Sequence, residues 1–481
     1  MPAIPYHVVI IGGGITGLAA AYTLHDFATR NQSAGVALTC SLVEASGRLG
    51  GKIITDHSGG FVIEGGPESF LAQKPWGIDL CRRLGLADSL IGTNPEHRKT
   101  FVWLRGRLHK LPEGLVMGIP AKLGPFIRTT LLSWPAKVRL GAEFFVPPNP
   151  HAADESLGAF FRRRLGQEAL DHIVEPLLTG IYTGDADQLS VLATFPRFRE
   201  MEQEHGSLLK ALWHAKRHVR KADNSSAAAT PFVSLREGLG HLVHTLENSL
   251  KGITVLTGMR VRELRRQDER YVVGIGHQSI AADAVIVTTP AYDAAELLAP
   301  LDPLLGEHLA GIVYAGSVTI SLGFRKVDLR HDLDGYGFVV PRIEHRELTA
   351  STWTSSKWDH RAPQDSVLLR CYLGGIGRED VLERTDQELI ELARDELRVI
   401  LGIDQTPILA RVYRWPRGMP QYNLGHLGRL AAIADRLERL PGVFLAGAGY
   451  RGVGIPDCIR DGIAAADGVC RCFDKALRTF V

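Results

Sequence analysis

Apolar residues in this chain come as short β-branched runs and as longer stretches at helical spacing, and their order predicts the architecture. Val8, Val9, Ile10 and Ile11 make a run suited to a strand buried on both faces. Leu18 through Leu24 reads as a helix, and "CSLVEAS" as a second strand ending at Glu44. The segment "HDFATRNQSAGVALT" makes the connection between them longer than usual. From Pro112 to Pro150 the chain is apolar, broken by prolines and dotted with Lys122, Arg128, Lys137 and Arg139. "SLGAFFRRRLGQEALDHIVEPLLTGIYTGD" follows, with helical periodicity as far as Glu175. "LLKALWHAKRHVRKADNSSAAATP" reads as a basic helix running into a Ser/Ala linker. Strands return in "GITVLTGMRVRELRR" and "YVVGIGHQSIAADAVIVTTP", the latter ending in a Thr-Thr-Pro turn. "GSVTISLGFRK", "GYGFVVP", "LTASTWTSS" and "SVLLRCYLGG" alternate as strands of an antiparallel sheet do. The tail, "GVFLAGAGYRGVGIPDCIRDGIAAADGV", is strand, glycine turn, helix. A nucleotide-type fold therefore opens at one end of the chain and closes at the other, with further lobes inserted between.

The first turn carries chemistry. Gly12, Gly14 and Gly17 fall in G-x-G-x-x-G spacing between the first strand and helix. Gly12 permits the tight turn, and Gly14 lets backbone approach a pyrophosphate. Gly17 brings the helix close to the strand, with its first amides aimed at phosphate. Glu44 stands at the distance where a carboxylate binds the hydroxyls of an adenosine ribose.

At 481 residues the chain is too long for one simple core, so two or three lobes are expected. A net charge of +2 excludes a broad nucleic-acid surface. No basic leader with a cleavage site precedes the first strand, and no apolar run reaches the ~18–20 residues of a membrane span, so a cytoplasmic protein is expected. The six cysteines are scattered without C-x-x-C spacing, which fits reduced thiols. The eighteen histidines show no ligand spacing, so no metal is expected.

Three later features favour FAD over NAD. In "ASGRLGGKI", Arg48 can reach a phosphate, while Gly50 and Gly51 give a backbone that lies against a long ligand. "EGGPESF" adds a second glycine turn, suited to passing a flavin. "GYRGVGIPDC" sets Gly452, Val453, Gly454 and Ile455 before a helix with Pro456 in its first turn. That N-terminus presents about half a positive charge, which stabilises an anion on a reduced ring system.

The set "GGGITGLAAAYTL", "EASGRLGGKI", "EGGPESFL", "LHKLPEGLVMGIPAK", "LGAFFRRRLG", "EPLLTGIYTGD", "STWTSSKW", "MPQYNLGH" and "GVGIPDCI" resembles the oxygen-dependent porphyrinogen oxidases of haem synthesis. The likeness runs from about Tyr6 to the last helix and is greatest to the soluble, Gram-positive-type enzymes, which prefer coproporphyrinogen III. Enzymes of mitochondria and chloroplasts, which use protoporphyrinogen IX, look more distant. The resemblance implies an α/β fold (α+β overall), with a Rossmann-like FAD-binding domain of the flavin amine oxidase or p-hydroxybenzoate hydroxylase type. That domain is expected in three parts, 1–100, 226–300 and 433–481, around a helical domain at 101–225 and a substrate-binding domain with an antiparallel sheet at 301–432.

The implied activity is six-electron oxidation of a porphyrinogen to a porphyrin, two electrons at a time, by hydride transfer from a ring carbon to flavin N5. Oxygen takes the electrons and becomes hydrogen peroxide. No dedicated catalytic side chain is needed, because the flavin does the hard chemistry. The family's non-covalent FAD positions match Gly12, Gly14, Ile15, Thr16, Gly17, Glu44, Ala45, Arg48, Gly51, Lys52, Gly66, Pro67, Glu68, Ser69, Val261, Trp415, Val453, Gly454 and Ile455. For Val261 a plain core valine is the competing reading, and for Trp415 a lobe-interface tryptophan. Substrate positions match Gly180, whose carbonyl would face pyrrole N–H groups, and Lys74, which would pair with a propionate. Arg98 falls near a propionate arginine of plant and animal relatives. Val339 and Trp358 match pocket walls, with buried core as the alternative. Partners implied are the porphyrinogen, oxygen and handover to a ferrochelatase, in a monomer or homodimer. The proline-punctuated basic region permits peripheral membrane contact, with packing over the substrate tunnel as the plainer use. Protoporphyrinogen IX is the alternative substrate. A flavin amine oxidase, a carotenoid-type desaturase and a non-catalytic escort protein that has lost its cofactor are remoter alternatives.

Overall fold

The computed structural model describes residues 6–31, 38–116, 118–120, 123–149, 154–219 and 230–479. Lys122 and most of the Ser/Ala linker lie outside the described residues. A parallel five-stranded sheet joins distant parts of the chain in the order Thr254–Leu256, Leu38–Val43, Tyr6–Ile11, Ala284–Val287, Val443–Leu445. The first strand is central, and its alternate residues enter two cores. Val8 and Ile10 pack under the helices Ile15–Asn31 and Ile455–Thr479, whereas Val9 and Ile11 face a three-stranded antiparallel ribbon spanning Val261–Ala282. Burial on both faces explains the unbroken β-branched run.

The first helix is longer than its apolar run, reaching Asn31. Beyond Leu24 its polar residues turn outward, where Arg30 pairs with Asp26 at 2.8 Å, so the apolar signal stops while the helix does not. Much of the long connection is thus helix.

The second sheet has seven strands, in the order Leu409–Pro420, Tyr314–Arg325, Ser366–Gly374, Leu348–Trp353, Gly337–Val339, Thr100–Leu104, Arg107–Lys110. The last two correct the expected boundaries, because residues 100–110 belong to this sheet rather than to the helical domain. Likewise the helices Pro303–Ala310 and His426–Leu437 bury Leu305, Leu309, Leu430 and Ile433 in the core of the nucleotide-type half, so 301 and 432 lie outside the sheet domain. In strand Tyr314–Arg325 both faces are covered. Val318, Ile320, Leu322 and Phe324 face the sheet's own core, while Ser317 and Thr319 face a cavity.

Short helices from Leu123 to Val219 form the third lobe. Its core includes Phe160, Phe161 and Phe198 in mutual edge and stacked contacts. Beneath them Arg164, Arg199 and Arg163 meet Glu143 and Glu202 in a buried ion-pair network. The helical period fades at Glu175 because a π-helical turn, Leu170–Val174, shifts its phase. The helix continues without a break as Glu175–Tyr182, and Pro176, which has no N–H to donate, follows directly on the π-helical turn. Among the described residues no helix is long and apolar enough to cross a membrane, and no cluster of His, Cys, Asp and Glu is placed to hold a metal.

Candidate active site

A cavity of about 1040 Å³ runs from the edge of the parallel sheet to the antiparallel sheet and the helical lobe. This lies at the top of the range of roughly 300–1000 Å³ typical of ligand pockets, so it suits a large, extended ligand.

Its first wall is the glycine turn. Gly12 has φ +110°, and a Cβ there would sit 2.7 Å from Thr288 Oγ1, whose hydroxyl donates to the Gly12 carbonyl at 2.9 Å. At Gly17 a Cβ would fall 1.9 Å from the Gly12 oxygen, so glycine alone lets helix and strand approach this closely. Gly17 is buried behind the turn rather than on the cavity. Gly12, Gly14, Ile15 and Thr16 do line it, at a helix start whose first amides lack intrahelical partners. Glu44 also lines it, with one carboxylate oxygen accepting from Gly13 N at 2.7 Å and the other from Ser46 N at 2.7 Å. Ala45, Gly51, Lys52 and Val261 continue this wall.

Arg48 behaves differently from the sequence expectation. Its guanidinium donates to the carbonyls of Leu49 and Ile53, both at 3.1 Å, and of Gly51, and it does not line the cavity. It braces the loop that holds Gly50 at φ +100°.

Gly66, Pro67 and Ser69 form the next stretch of wall, and here too glycine is forced: a Cβ on Gly66 would lie 1.8 Å from the Lys52 oxygen. The turn is clamped through the Gly65 carbonyl, which accepts from Thr319 Oγ1 at 2.9 Å, Trp415 Nε1 at 3.1 Å and Arg370 at 3.3 Å. Trp415 is thus both cavity wall and link to the sheet. Glu68, expected at the cofactor, points away and pairs with Lys357, with Arg370 at 4.0 Å. Burial opposes its charge, yet Lys357 and Arg370 hold the carboxyl below its usual range. The neighbouring Trp358 is fully buried, its Nε1 3.4 Å from Glu68, so it is core and not a pocket wall.

The far wall comes from the tail. Val453, Gly454 and Ile455 line the cavity where the last helix begins. Lys52 opens on the same space, 5.8 Å from the Tyr314 ring, and burial holds its ammonium below the ordinary lysine range. Cys458, also on this wall, has its thiol pushed by burial up to about 12, so it is neutral and a poor nucleophile.

Of the expected substrate residues, Gly180 lines the cavity, and a Cβ there would meet open space. Lys74 does not line it; its ammonium lies 2.5 Å from the buried Asp457 carboxylate, in the first turn of the last helix. Arg98 is exposed and off the cavity. Val339 packs against the core of the helical lobe. Sequence reading missed Thr288, Tyr314, Ser317, Arg370 and Tyr372 on the walls. Only the Thr-Thr-Pro turn after "AVIV" hinted at one of them, by repeating the first strand's hydrophobic run and sharp stop.

Residues 15–470 match the family of flavin containing amine oxidoreductases. The chain belongs to that family. It carries a flavin-type fold and is an oxidase by descent. A coproporphyrinogen III oxidase of Bacillus subtilis is 39% identical, over 95% of this chain and 97% of that protein. One of Staphylococcus aureus is 34% identical over 96% and 98%. The human protoporphyrinogen oxidase is 31% identical over 96% and 98%. A crystal structure from Exiguobacterium sp. 255-15, provisionally named a protoporphyrinogen oxidase, superposes with TM-score 0.84 at 34% identity, over 96% of this chain and 98% of that one. Cyclohexylamine oxidase of Brevibacterium oxydans, at TM-score 0.70 and 16% identity over 98% and 100%, shares the fold alone.

Proposed function

We propose that this family member binds FAD without a covalent bond and oxidises coproporphyrinogen III to coproporphyrin III, with oxygen as acceptor and hydrogen peroxide as product. The observation that carries the reading is one cavity with two unlike halves: a glycine cradle with a helix N-terminus, continuous with an open wall at Gly180, Ile181 and Met419. The cradle fits FAD because Gly12, Gly14 and Gly66 put backbone without side chains on the cavity wall. The start of the first helix supplies the donors a pyrophosphate needs.

When bound, the flavin supplies the two-electron chemistry, taking a hydride from carbon and passing electrons to oxygen. The chain's own residues do the rest. The amides at Ile15 and Thr16, with Glu44, orient the nucleotide end. The start of the last helix and the Lys52 ammonium make the far end favourable to negative charge. The apolar lining keeps water away and leaves room for a macrocycle. The neutral Cys458 thiol agrees with non-covalent binding, which release of flavin on acid precipitation tests. Identities of 34–39% with coproporphyrinogen III oxidases, against 31% with the human protoporphyrinogen enzyme, support the choice of substrate.

The experiment is to supply each porphyrinogen under air to FAD-loaded protein and follow porphyrin fluorescence together with peroxide. Coproporphyrinogen III is expected to react about tenfold faster. Equal rates overturn the substrate preference, and no porphyrin from either overturns the function.

We also propose a cytoplasmic protein that touches lipid through its helical lobe. Ile127, Trp134, Val138 and Phe145 are exposed there by 55%, 68%, 70% and 87%, with Lys137 among them.

A further inference from the structure

"TGIYTGD" and "MPQYNLGH" are far apart in sequence and hold no obvious chemistry, yet the fold brings them together beside the closing glycine turn. Tyr422 stands at the junction. It is 1% exposed, and its ring stacks on His426 with centroids 4.2 Å apart. Its hydroxyl donates to the Ala448 carbonyl at 2.6 Å and accepts from Gly452 N at 2.8 Å. Both partners belong to the tail segment that puts Ala448, Val453, Gly454 and Ile455 on the cavity. Within that segment Gly452 has φ +136°, with Asp457 packed so close that a Cβ would lie 2.5 Å from its Cγ.

Gln421 makes the second tie. Its Nε2 donates to the Tyr182 carbonyl at 2.8 Å, at the end of the helix that carries Gly180. The fit is close: a Cβ on Gly184 would fall 2.3 Å from Gln421 Oε1, and one on Gly375 2.8 Å from the Thr183 oxygen. The main chain of Tyr422 accepts from Ser190 N at 2.8 Å, so the strut is held at both ends.

We infer that Tyr422 is a positioning residue, whose hydroxyl fixes the backbone from Ala448 to Gly452 and thereby sets the cavity wall at Val453–Ile455. A phenylalanine ring would fill the same space, so packing alone does not account for the hydroxyl. Burial pushes this phenol well above its usual range, so it stays neutral and both donates and accepts. The consequence for the cofactor rests on the FAD reading; the consequence for the backbone does not.

The test is Tyr422→Phe beside Tyr271→Phe. Tyr271 is also buried and donates to a carbonyl, that of Pro441 at 2.9 Å, but lies off the cavity. Both variants are expected to melt somewhat earlier. In Tyr422→Phe alone, the FAD dissociation constant should rise about tenfold, as for loss of buried hydrogen-bond partners. The visible spectrum of bound flavin should shift with it. Amide exchange across residues 448–455 of flavin-free protein should quicken in Tyr422→Phe and not in Tyr271→Phe. Unchanged exchange there overturns the proposal, as do FAD affinity and spectrum that move equally in both variants. Wild-type protein that takes up no FAD overturns the cofactor reading instead, and the exchange result still decides the role of Tyr422.

Discussion

Single residues show where sequence motifs inform and where they mislead. The glycines were legible because their requirement is steric and local: Gly12 and Gly66 are glycine since backbone or a fixed side chain occupies the place of a Cβ. The glycine-rich loop around Arg48 suggests a ligand-facing side chain, and the family resemblance implies the same for Glu68. A motif, however, does not say whether a side chain points at the ligand or braces the loop, and both brace. Glu64 is a third such group, and its environment gives a pH signature. It accepts from Leu239 N and from Thr55, both at 2.7 Å, with Arg361 no nearer than 4.0 Å. Burial outweighs these contacts and raises its pKa from 4.5 to about 7. Between those values the folded protein keeps a proton that the unfolded chain has released. The stabilisation is therefore complete below about 4.5 and disappears as pH rises through about 7. Glu64→Gln should flatten the loss of stability over that window, a difference on the order of 3 kcal/mol. Urea unfolding of both proteins from pH 4.5 to 7.5 measures it. Parallel curves would mean that Glu64 is ionised in the fold.

Elements were legible where the apolar period was unbroken and illegible where tertiary contacts did the work. The first strand is evident from four residues, because it is buried on both faces. The extent of the first helix is not, since its outer face is polar beyond Leu24. Nor does local sequence show that Thr100–Lys110 joins a sheet made by residues more than two hundred positions away. The first and last helices form the most informative pair. At Gly462 a Cβ would lie 2.2 Å from the Thr16 oxygen and 3.3 Å from Ala20 N, so the two helices touch backbone to backbone. Each also begins on the cavity, one at Ile15 and the other at Ile455. Gly462→Val would drive them apart and move both ends of the cradle at once. Overpacking of this kind costs about 1–3 kcal/mol, so the protein should still fold while its flavin content, read by visible absorbance, falls several-fold. Full flavin content in that variant would mean the cradle does not depend on this contact.

Across the whole molecule, the joining of both chain ends in one sheet was legible from two glycine turns, each between a strand and a helix. The substrate side was not, because its walls come from three lobes whose contacts leave no local pattern. One global property follows from how the helical lobe distributes its charge and its apolar surface. Of the basic residues noted in its sequence, Arg139 turns inward to the carbonyls of Arg163 and Arg164, whereas Arg128 stays exposed. Lys137 donates to the Ile127 carbonyl at 2.8 Å and lies 4.7 Å over the Trp134 ring. Trp134 and Val138 are four apart on the helix Trp134–Gly141, hence on one face, and Phe145 follows in the next turn. Large apolar side chains with cations among them describe an interfacial patch. Each such side chain contributes about 1.5–3 kcal/mol on leaving water. Replacing Trp134 and Phe145 together by Ser should therefore weaken binding to mixed neutral and anionic phospholipid vesicles by at least about tenfold in sedimentation. Oxidation of dissolved porphyrinogen should continue at the wild-type rate, since neither residue lines the cavity. Should the wild-type protein stay in the supernatant with such vesicles, the patch serves something other than lipid; should the double variant lose activity in solution, the lobe's exposed face is part of the substrate path after all.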